Sequence, residues 1–236
     1  MFEPFEILYE DEGMIAINKP SGILVHRTKI SEDTVFVIQL LRNQIGQRVW
    51  PLHRLDRGTS GVLVLAKDSE MAGLLSEQFR EKSLEKRYYA IVRGFMEEHG
   101  VIDSPLVHPI SKLPQEALTR YTRLSQTELP MPIGRYETAR YSLMDIALET
   151  GRTHQIRRHF SHIRHPVIGD KKKGDCKHNK YFETELGISR MLLHAHRFVF
   201  THPLREERIS INAPLGADFE KALRVLKLQH PQSAFM

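Results

Sequence analysis

The stretch His53-Arg54-Leu55-Asp56-Arg57-Gly58-Thr59-Ser60-Gly61 places one carboxylate between two arginines. Apolar residues precede it at 49–52 and follow it at 62–66, and both runs are typical of strands. The second run is apolar enough to be buried, and the two glycines permit a tight irregular turn between the strands. We therefore expect Asp56 to lie on a loop at the end of a sheet, where functional carboxylates are often found.

The two arginines predict the ionisation state of Asp56. Because a nearby cation favours the charged form of a carboxyl group, Arg54 and Arg57 should keep Asp56 ionised. An ionised carboxylate can act as a nucleophile or as a general base. Taken alone, the same pattern fits a structural ion pair that fixes the turn, which is the commoner use of neighbouring Arg and Asp residues.

Composition bounds the class of protein. The 236 residues suit one sizeable domain, and a hydrophobic fraction of 41% is enough for a core. A formal charge of +5 and a pI near 9.3 fit either a polyanionic partner or an ordinary basic protein. Cys176 is the only cysteine, which suggests a reducing, cytoplasmic location. The acidic N-terminus and the lack of a long apolar run predict no secretion signal and no membrane helix.

Hydrophobic periodicity predicts alternating strands and helices. Strands are expected at Phe5–Tyr9, Met14–Asn18, Lys86–Gly94, Ala117–Gln126, Thr138–Leu148 and from Met191 onward. Helices are expected over Val35–Ile45, with Asp33 as N-cap and Gly46 just after its end, and over Ser69–Lys82. Residues 129–134 are expected to form a loop, since two prolines interrupt them.

Candidate contact residues lie outside the opening stretch. Lys19 is either a phosphate contact or a solvated turn residue, and the local sequence slightly favours the turn. Tyr88 and Tyr89 should point to opposite faces of a strand, so that one packs in the core and the other can stack on a base. Taken without further context, a tyrosine in such a strand is more often structural than functional.

A second basic stretch, Glu149–Arg157, ends a strand and begins a helix for which Thr153 is the expected N-cap. Arg152, Arg157, Arg158 and Arg164 make it a candidate anion site or a solvated basic helix. The lysines between 171 and 180 form either a solvated loop or a phosphate-binding flap. The histidine spacing matches no zinc pattern, and there is no glycine-rich nucleotide motif, so we expect no metal site.

Taken together, these stretches resemble one family. His53-Arg54-Leu55-Asp56 with Thr59-Ser60-Gly61 resembles the active-site motif of the RluA-type pseudouridine synthases. Further stretches resemble motifs of that family in the same order, namely Asn18–Gly22, Lys86–Gly94, Gly151–Arg157 and His165–Asp170. The resemblance implies an α+β fold, the pseudouridine synthase fold, with a mostly antiparallel mixed sheet, flanking helices and a central catalytic cleft. Residues 1–236 would form a single catalytic domain without the N-terminal RNA-binding domain of the S4 type that some relatives carry.

The resemblance also assigns roles to residues. Asp56 would be the catalytic carboxylate, Tyr88 would lie against the target uracil, and Arg157 would pair with Asp56. Arg54 would fill the space left by a flipped base. The remaining expected RNA contacts are Lys19, Arg152, His154, Arg158 and Leu193, the last of which could line the uracil pocket or belong to the core.

The implied reaction breaks the bond from ribose C1′ to uracil N1 and joins C1′ to uracil C5, so no cofactor is needed. Leu24–Arg27, Gly134–Tyr136 and Asp170–Gly174 are similar to a subgroup that modifies uridine 65 of certain transfer RNAs. Asp56 could attack ribose C1′, add to uracil C6 or remove the ribose 2′ proton. Alternatives are a ribosomal RNA synthase of the same family, a non-catalytic RNA-binding protein, and a glycosidase-like enzyme. The last normally uses two carboxylates, and only Asp56 is strongly marked.

Overall fold

The computed structural model describes residues 3–27, 33–81 and 83–231. The helices are α1 Val37–Ile45, α2 Ser69–Glu81, α3 Gln155–His162, α4 Cys176–Thr184 and α5 Ala217–Val225. The strands are β1 Ile7–Glu10, β2 Met14–Lys19, β3 Trp50–Pro51, β4 Ser60–Ala66, β5 Glu85–Arg93, β6 His99–Asp103, β7 Leu106–Val107, β8 Pro114–Gln115, β9 Leu118–Leu129, β10 Ala139–Leu148, β11 Leu193–Thr201 and β12 Arg208–Asn212. None of the helices in these ranges combines the length and the apolar character that crossing a lipid bilayer requires.

The first of two compact units comprises Met1–Lys86 and Ala195–Pro214. In it β1 pairs with β2, β2 with β4, β3 with β4, and β12 with β11, and all of these pairs are antiparallel. Every residue of β4 is buried. Alternate side chains of β2 and β4 pack with Met71 and Leu75 of α2 and with Phe198 and Phe200 of β11. This core fixes β4, and therefore the strand that follows the Asp56 loop.

The second unit comprises Arg87–His194 and Leu215–Met236. Its strands pair antiparallel in the order β5, β10, β9, β6, and β9 and β10 form a long hairpin. One face of this sheet carries Ile91 and Tyr141, which share a core with Phe182 of α4 and Phe219 of α5. Helices α4 and α5 are thereby held on the sheet by large buried side chains.

The observed ends of helices α1 and α2 agree with the predicted capping residues at some positions and differ at others. Helix α1 begins at Val37, and its N-cap position is Phe36, whose side chain makes no capping hydrogen bond. The expectation that Asp33 is the N-cap is therefore wrong, since Asp33 instead forms an ion pair with Arg57 at 3.0 Å. Gly46 ends the helix with a φ of +69°, as predicted. Helix α2 begins at Ser69 as predicted, whereas its expected last residue, Lys82, lies outside the described residues.

The lysine-rich stretch differs from expectation, because residues 176–184 form helix α4 rather than a loop or a flap. Asp175 caps this helix by accepting hydrogen bonds from the backbone amides of Lys177 at 2.9 Å and His178 at 3.2 Å. Phe182 is fully buried beneath the helix. Only the part before α4, the turn at 170–174, is a loop.

The α+β class and the antiparallel pairing are confirmed, and the predicted strands lie within a few residues of β1, β2, β5, β9, β10 and β11. The strand expected at 49–52 is the very short β3, whereas the helix α5 is an element that the sequence pattern did not predict. The central catalytic cleft stays a prediction.

Candidate active site

Asp56 lies on the loop between β3 and β4, as predicted. Its side chain is half-buried, and its backbone carbonyl accepts a hydrogen bond from the amide of Thr59 at 3.0 Å. Leu55 on one side and Thr59 on the other are buried. The loop is thus held by buried neighbours, while Asp56 itself is only partly buried.

Lys19 anchors this loop from β2. Its side chain is 0% exposed, and its Nζ donates hydrogen bonds to the carbonyl of Thr59 at 2.8 Å and to that of Pro20 at 2.7 Å. The interpretation of Lys19 as a solvated turn residue is therefore wrong. The predicted RNA contact of Lys19 has no support in this geometry either, because its ammonium group is enclosed by the protein.

The segment after Lys19 ties the same loop down a second time. The Ser21 hydroxyl donates to the carbonyl of Gly58 at 2.8 Å, and the amide of Gly22 donates to that of Arg57 at 2.7 Å. In return the Arg57 side chain donates to the carbonyl of Gly22 at 3.0 Å and pairs with Asp33. Arg57, for which the sequence indicated no role beyond a local partner of Asp56, therefore fixes the shape of the loop.

Arg54 lies on the solvent side of the loop, where its side chain is exposed. Burial lowers the pKa of the nearby His26, and the positive charge of Arg54 lowers it further. The His26 Nδ1 atom is buried and has no hydrogen-bond partner among the described residues. An exposed guanidinium beside a neutral imidazole can meet RNA, so the predicted RNA contact of Arg54 is compatible with its position.

Strand β5 presents the two neighbouring tyrosines to opposite faces, as predicted. Tyr89 lies opposite Asp145 of β10 and packs in the core of the second unit with Ile91 and Tyr141. Tyr88 lies opposite Ile146 and is largely buried outside that core cluster. Tyr88 is therefore the tyrosine available on the other face of the sheet, which is the arrangement that its predicted role requires.

Helix α3 carries Arg157, but its N-terminus is not built as predicted. The N-cap position is His154, which has a left-handed φ of +55° and makes no side-chain cap, so Thr153 as N-cap is wrong. The buried side chain of Gln155 organises this end instead. Its Oε1 accepts hydrogen bonds from the Arg152 amide at 2.9 Å and the Thr150 hydroxyl at 2.8 Å.

Arg157 forms a two-point pair with Asp170. Its Nε lies 2.7 Å from Asp170 Oδ2, and its Nη2 lies 2.9 Å from Oδ1. The two side chains are 10% and 1% exposed. Burial opposes ionisation of the Asp170 carboxyl, but the Arg157 hydrogen bonds and the amides of Lys172 and Lys173 outweigh it, so the pKa of Asp170 is lowered. Asp170 therefore fixes the position of Arg157.

The remaining predicted RNA-contact residues differ in how far they are exposed to solvent. Arg152 donates to the carbonyl of Glu116 at 2.9 Å, and Arg158 to that of Val107 at 3.0 Å, and both side chains keep partial solvent access. His154 is also partly exposed. Leu193, at the start of β11, is 3% exposed. The RNA contacts of these four residues stay predictions.

Within residues 3–27, 33–81 and 83–231, no group of three or more His, Cys, Asp and Glu side chains is placed so that it could hold a metal ion. His159 is one of four histidines between positions 154 and 165. Both of its ring nitrogens contact protein groups, the Thr119 hydroxyl at 2.9 Å and the Ser104 carbonyl at 3.0 Å.

Residues 13–162, which contain Asp56, Tyr88 and Arg157, match the model of a family described as RNA pseudouridylate synthase. The chain belongs to the RNA pseudouridylate synthase family. A tRNA pseudouridine synthase C of Vibrio parahaemolyticus is 48% identical over 227 residues, which are 92% of this chain and 92% of that protein. A tRNA pseudouridine synthase C of Pectobacterium carotovorum is 46% identical over 226 residues, 91% of this chain, and the chain spans 60% of its length.

A solved structure of the same family resembles the fold. The structure of human RNA Pseudouridylate Synthase Domain Containing 4 superposes with a TM-score of 0.75 at 26% identity, covering 96% of this chain and 94% of that one. The RluA-type resemblance that the motifs indicated is thereby confirmed.

For this member of the RNA pseudouridylate synthase family, sequence reasoning missed two supports of the site. Asp170 stands in the motif His165–Asp170, yet nothing in that motif says that its partner is Arg157, 13 residues earlier. Lys19 stands in the motif Asn18–Gly22, where a proline and a glycine suggested an exposed turn. The predicted pairing of Arg157 with Asp56 stays a prediction.

Proposed function

We propose that this chain is a pseudouridine synthase that isomerises a uridine of transfer RNA, and that the uridine is the one at position 65. Relatives 46–48% identical over more than nine tenths of the chain are named tRNA pseudouridine synthase C, which supports the substrate class. The observation that carries the proposal is the placement of Asp56, a half-buried carboxylate on a loop that buried hydrogen bonds from Lys19 hold in place. A cytoplasmic location, in which Cys176 stays reduced, belongs to the same proposal.

In this mechanism Asp56 supplies the one reactive carboxylate. The anchors from Lys19, Ser21 and Arg57 reduce the freedom of the loop before substrate arrives, so little ordering is needed in the transition state. The bond from C1′ to N1 breaks and the bond from C1′ to C5 forms. The proton lost from C5 is balanced by the proton gained at N1, so the reaction needs no donor group.

The other residues bind and orient. Arg157, held by Asp170, would keep Asp56 ionised and directed at the reacting atoms. Tyr88 would lie against the uracil ring while it turns. Removing a base from structured RNA requires a few kcal/mol, which stacking and phosphate contacts must offset. The exposed Arg54 would occupy the space that the base leaves.

The test is direct mapping of the product. Purified protein is incubated with transfer RNA and ribosomal RNA made by transcription, which contain no pseudouridine, and each product position is mapped. Asp56→Asn keeps the size of the side chain and removes its charge. It should lower turnover by at least the roughly 10²–10⁴-fold that a positioned acid or base contributes, while transfer RNA still binds.

Asp103→Asn is the matched control, because Asp103 is an exposed carboxylate on β6 with no proposed role. It should retain full turnover. Product at one transfer RNA position in the wild type and the control, but not in Asp56→Asn, supports the proposal. Full activity of Asp56→Asn would refute the assigned carboxylate. Product only in ribosomal RNA would refute the substrate class, binding without product would refute the activity, and free uracil would refute isomerisation.

A further inference from the structure

A concavity of about 550 Å³ lies on the second unit, between the turn at 133–136 and the N-terminus of α4. Arg135 and Tyr136 line it from the turn, and Cys176 and Lys177 line it from α4. We propose that this basic concavity is a second contact surface for the RNA substrate. Arg135 and Lys177 would bind backbone phosphates, and Tyr136 would take a base or a ribose. The inference rests on the proposed function and assigns part of its RNA recognition.

The charges near the concavity favour a polyanion. The five lysines of the stretch 171–180 are all exposed. Asp170 and Asp175 are used inside the protein, Asp170 by Arg157, and Asp175, which also lines the concavity, by Arg93 at 2.6 Å and by the amides that begin α4. These carboxylates therefore do not neutralise the lysines. Exposed Lys and Arg side chains that lack acidic neighbours bind RNA phosphates by releasing counterions.

The turn at 133–136 is shaped to present its side chains. Ile133 and Tyr136 form a backbone bridge, and Gly134 between them has a φ of +68°. A Cβ atom at Gly134 would lie 3.2 Å from the Lys177 Nζ, so the turn packs directly on the first residues of α4. The turn and the helix thus form one surface within the second unit.

The turn also carries an exposed aromatic ring next to a cation. Tyr136 is 49% exposed, and the Arg135 guanidinium lies 5.1 Å from its ring centroid and donates to its hydroxyl at 2.9 Å. The Arg135 hydrogen bond and charge lower the pKa of Tyr136. A ring with an adjacent guanidinium is the combination on which unpaired bases stack while a phosphate is bound.

Cys176 provides a direct probe, because it is the only cysteine of the chain, it is exposed, and it lines the concavity. The rate at which N-ethylmaleimide modifies Cys176 is measured with and without unmodified transfer RNA transcript at saturation. We expect the rate to fall as the bound fraction rises. Uridine monophosphate at the same nucleotide concentration should protect far less, since one nucleotide cannot span the surface.

A double variant, Cys176→Ser with Ser76→Cys, is the matched control. Ser76 is exposed on α2 of the first unit, far along the chain from the concavity, and its thiol should react at the same rate with and without RNA. Protection of Cys176 alone supports the inference. Equal protection of both thiols, or of neither when separate binding measurements show saturation, would overturn it.

The salt dependence of binding gives an independent measurement. Removing two phosphate contacts in Arg135→Ala/Lys177→Ala should make the slope of log affinity against log salt shallower by about 1.8, since each contact contributes about 0.9. Arg135→Lys/Lys177→Arg should restore most of the slope. Arg42→Ala/Arg80→Ala removes the same charge from exposed positions on α1 and α2 and should leave the slope unchanged. Equal slopes for both alanine pairs would overturn the inference.

The outcomes separate this inference from the proposed function. Pseudouridine at one transfer RNA position, together with an unprotected Cys176 and an unchanged slope, would refute the second contact surface and leave the activity standing. Protection and a shallower slope without any product would refute the activity and leave the surface standing as an RNA site.

Discussion

Replacing Asp170 by asparagine removes the charged partner of a buried guanidinium. Arg157 and Asp170 are 10% and 1% exposed, and two hydrogen bonds of 2.7 and 2.9 Å join them. Breaking a buried pair by removing one partner destabilises a protein by about 3–5 kcal/mol, because the other charge stays buried. The asparagine Oδ1 can still accept the amides of Lys172 and Lys173, so we expect a loss near the lower end, about 3 kcal/mol.

Urea unfolding at neutral pH measures this loss, with Arg157→Met and the double variant Asp170→Asn/Arg157→Met completing a cycle. Each single variant leaves one buried polar group without its partner, whereas the double variant leaves neither charge. Its destabilisation should therefore be well below the sum of the two. Glu149→Gln is the control, since it breaks the exposed pair with Arg120 and should change stability by less than about 1 kcal/mol.

The lowered pKa of Asp170 adds a pH dependence with a defined sign. The unfolded carboxyl titrates near pH 3.9, so the stability that its ionised form contributes is complete above that pH and is lost as the pH falls through the lower folded value. The difference between wild type and Asp170→Asn should therefore shrink in acid. A variant within about 1 kcal/mol of wild type at neutral pH, or a strictly additive cycle, would refute the reasoning.

Three further changes test other parts of the fold. Burial, helped by the charge of Lys86, lowers the pKa of His53 to about 3. Because only the unfolded chain gains a proton at this residue between pH 7 and pH 5, the wild type should lose about 2 kcal/mol of stability over that range. His53→Gln, whose amide oxygen can still accept the hydrogen bond from the Val64 amide, should not show this loss. Urea titrations at both pH values measure this, and parallel losses would contradict it. Gly61→Ala should destabilise by at least about 2 kcal/mol, because φ is +110° and its Cβ would lie 2.1 Å from the Ala195 carbonyl oxygen. Gly73→Ala, in open space on α2, should instead stabilise the protein by up to about 1 kcal/mol. Thermal unfolding measures both variants, and a lower unfolding temperature for Gly73→Ala than for Gly61→Ala would contradict the described surroundings of the two glycines.

Several features of this protein were determined by the sequence alone. The apolar run 62–66 determined the buried strand β4, and the alternation of Tyr88 and Tyr89 determined that the two rings lie on opposite faces of β5. The motif around Asp56 determined the family and the loop that carries the carboxylate. These features depend on residues close together in the chain, where the two-residue period of a strand and the φ freedom of glycine act locally.

Tertiary structure alone decided which charged groups are buried and with which partners. Lys19 reaches a carbonyl 40 residues away, Arg57 pairs with Asp33 rather than serving Asp56 alone, and Asp170 takes Arg157. The lysine-rich stretch contains helix α4 because Phe182 finds a core made by distant strands, although its exposed residues look like a loop. A local pattern records the polarity of a side chain, whereas its partner depends on which distant segments pack against it and on the need to satisfy every buried charge.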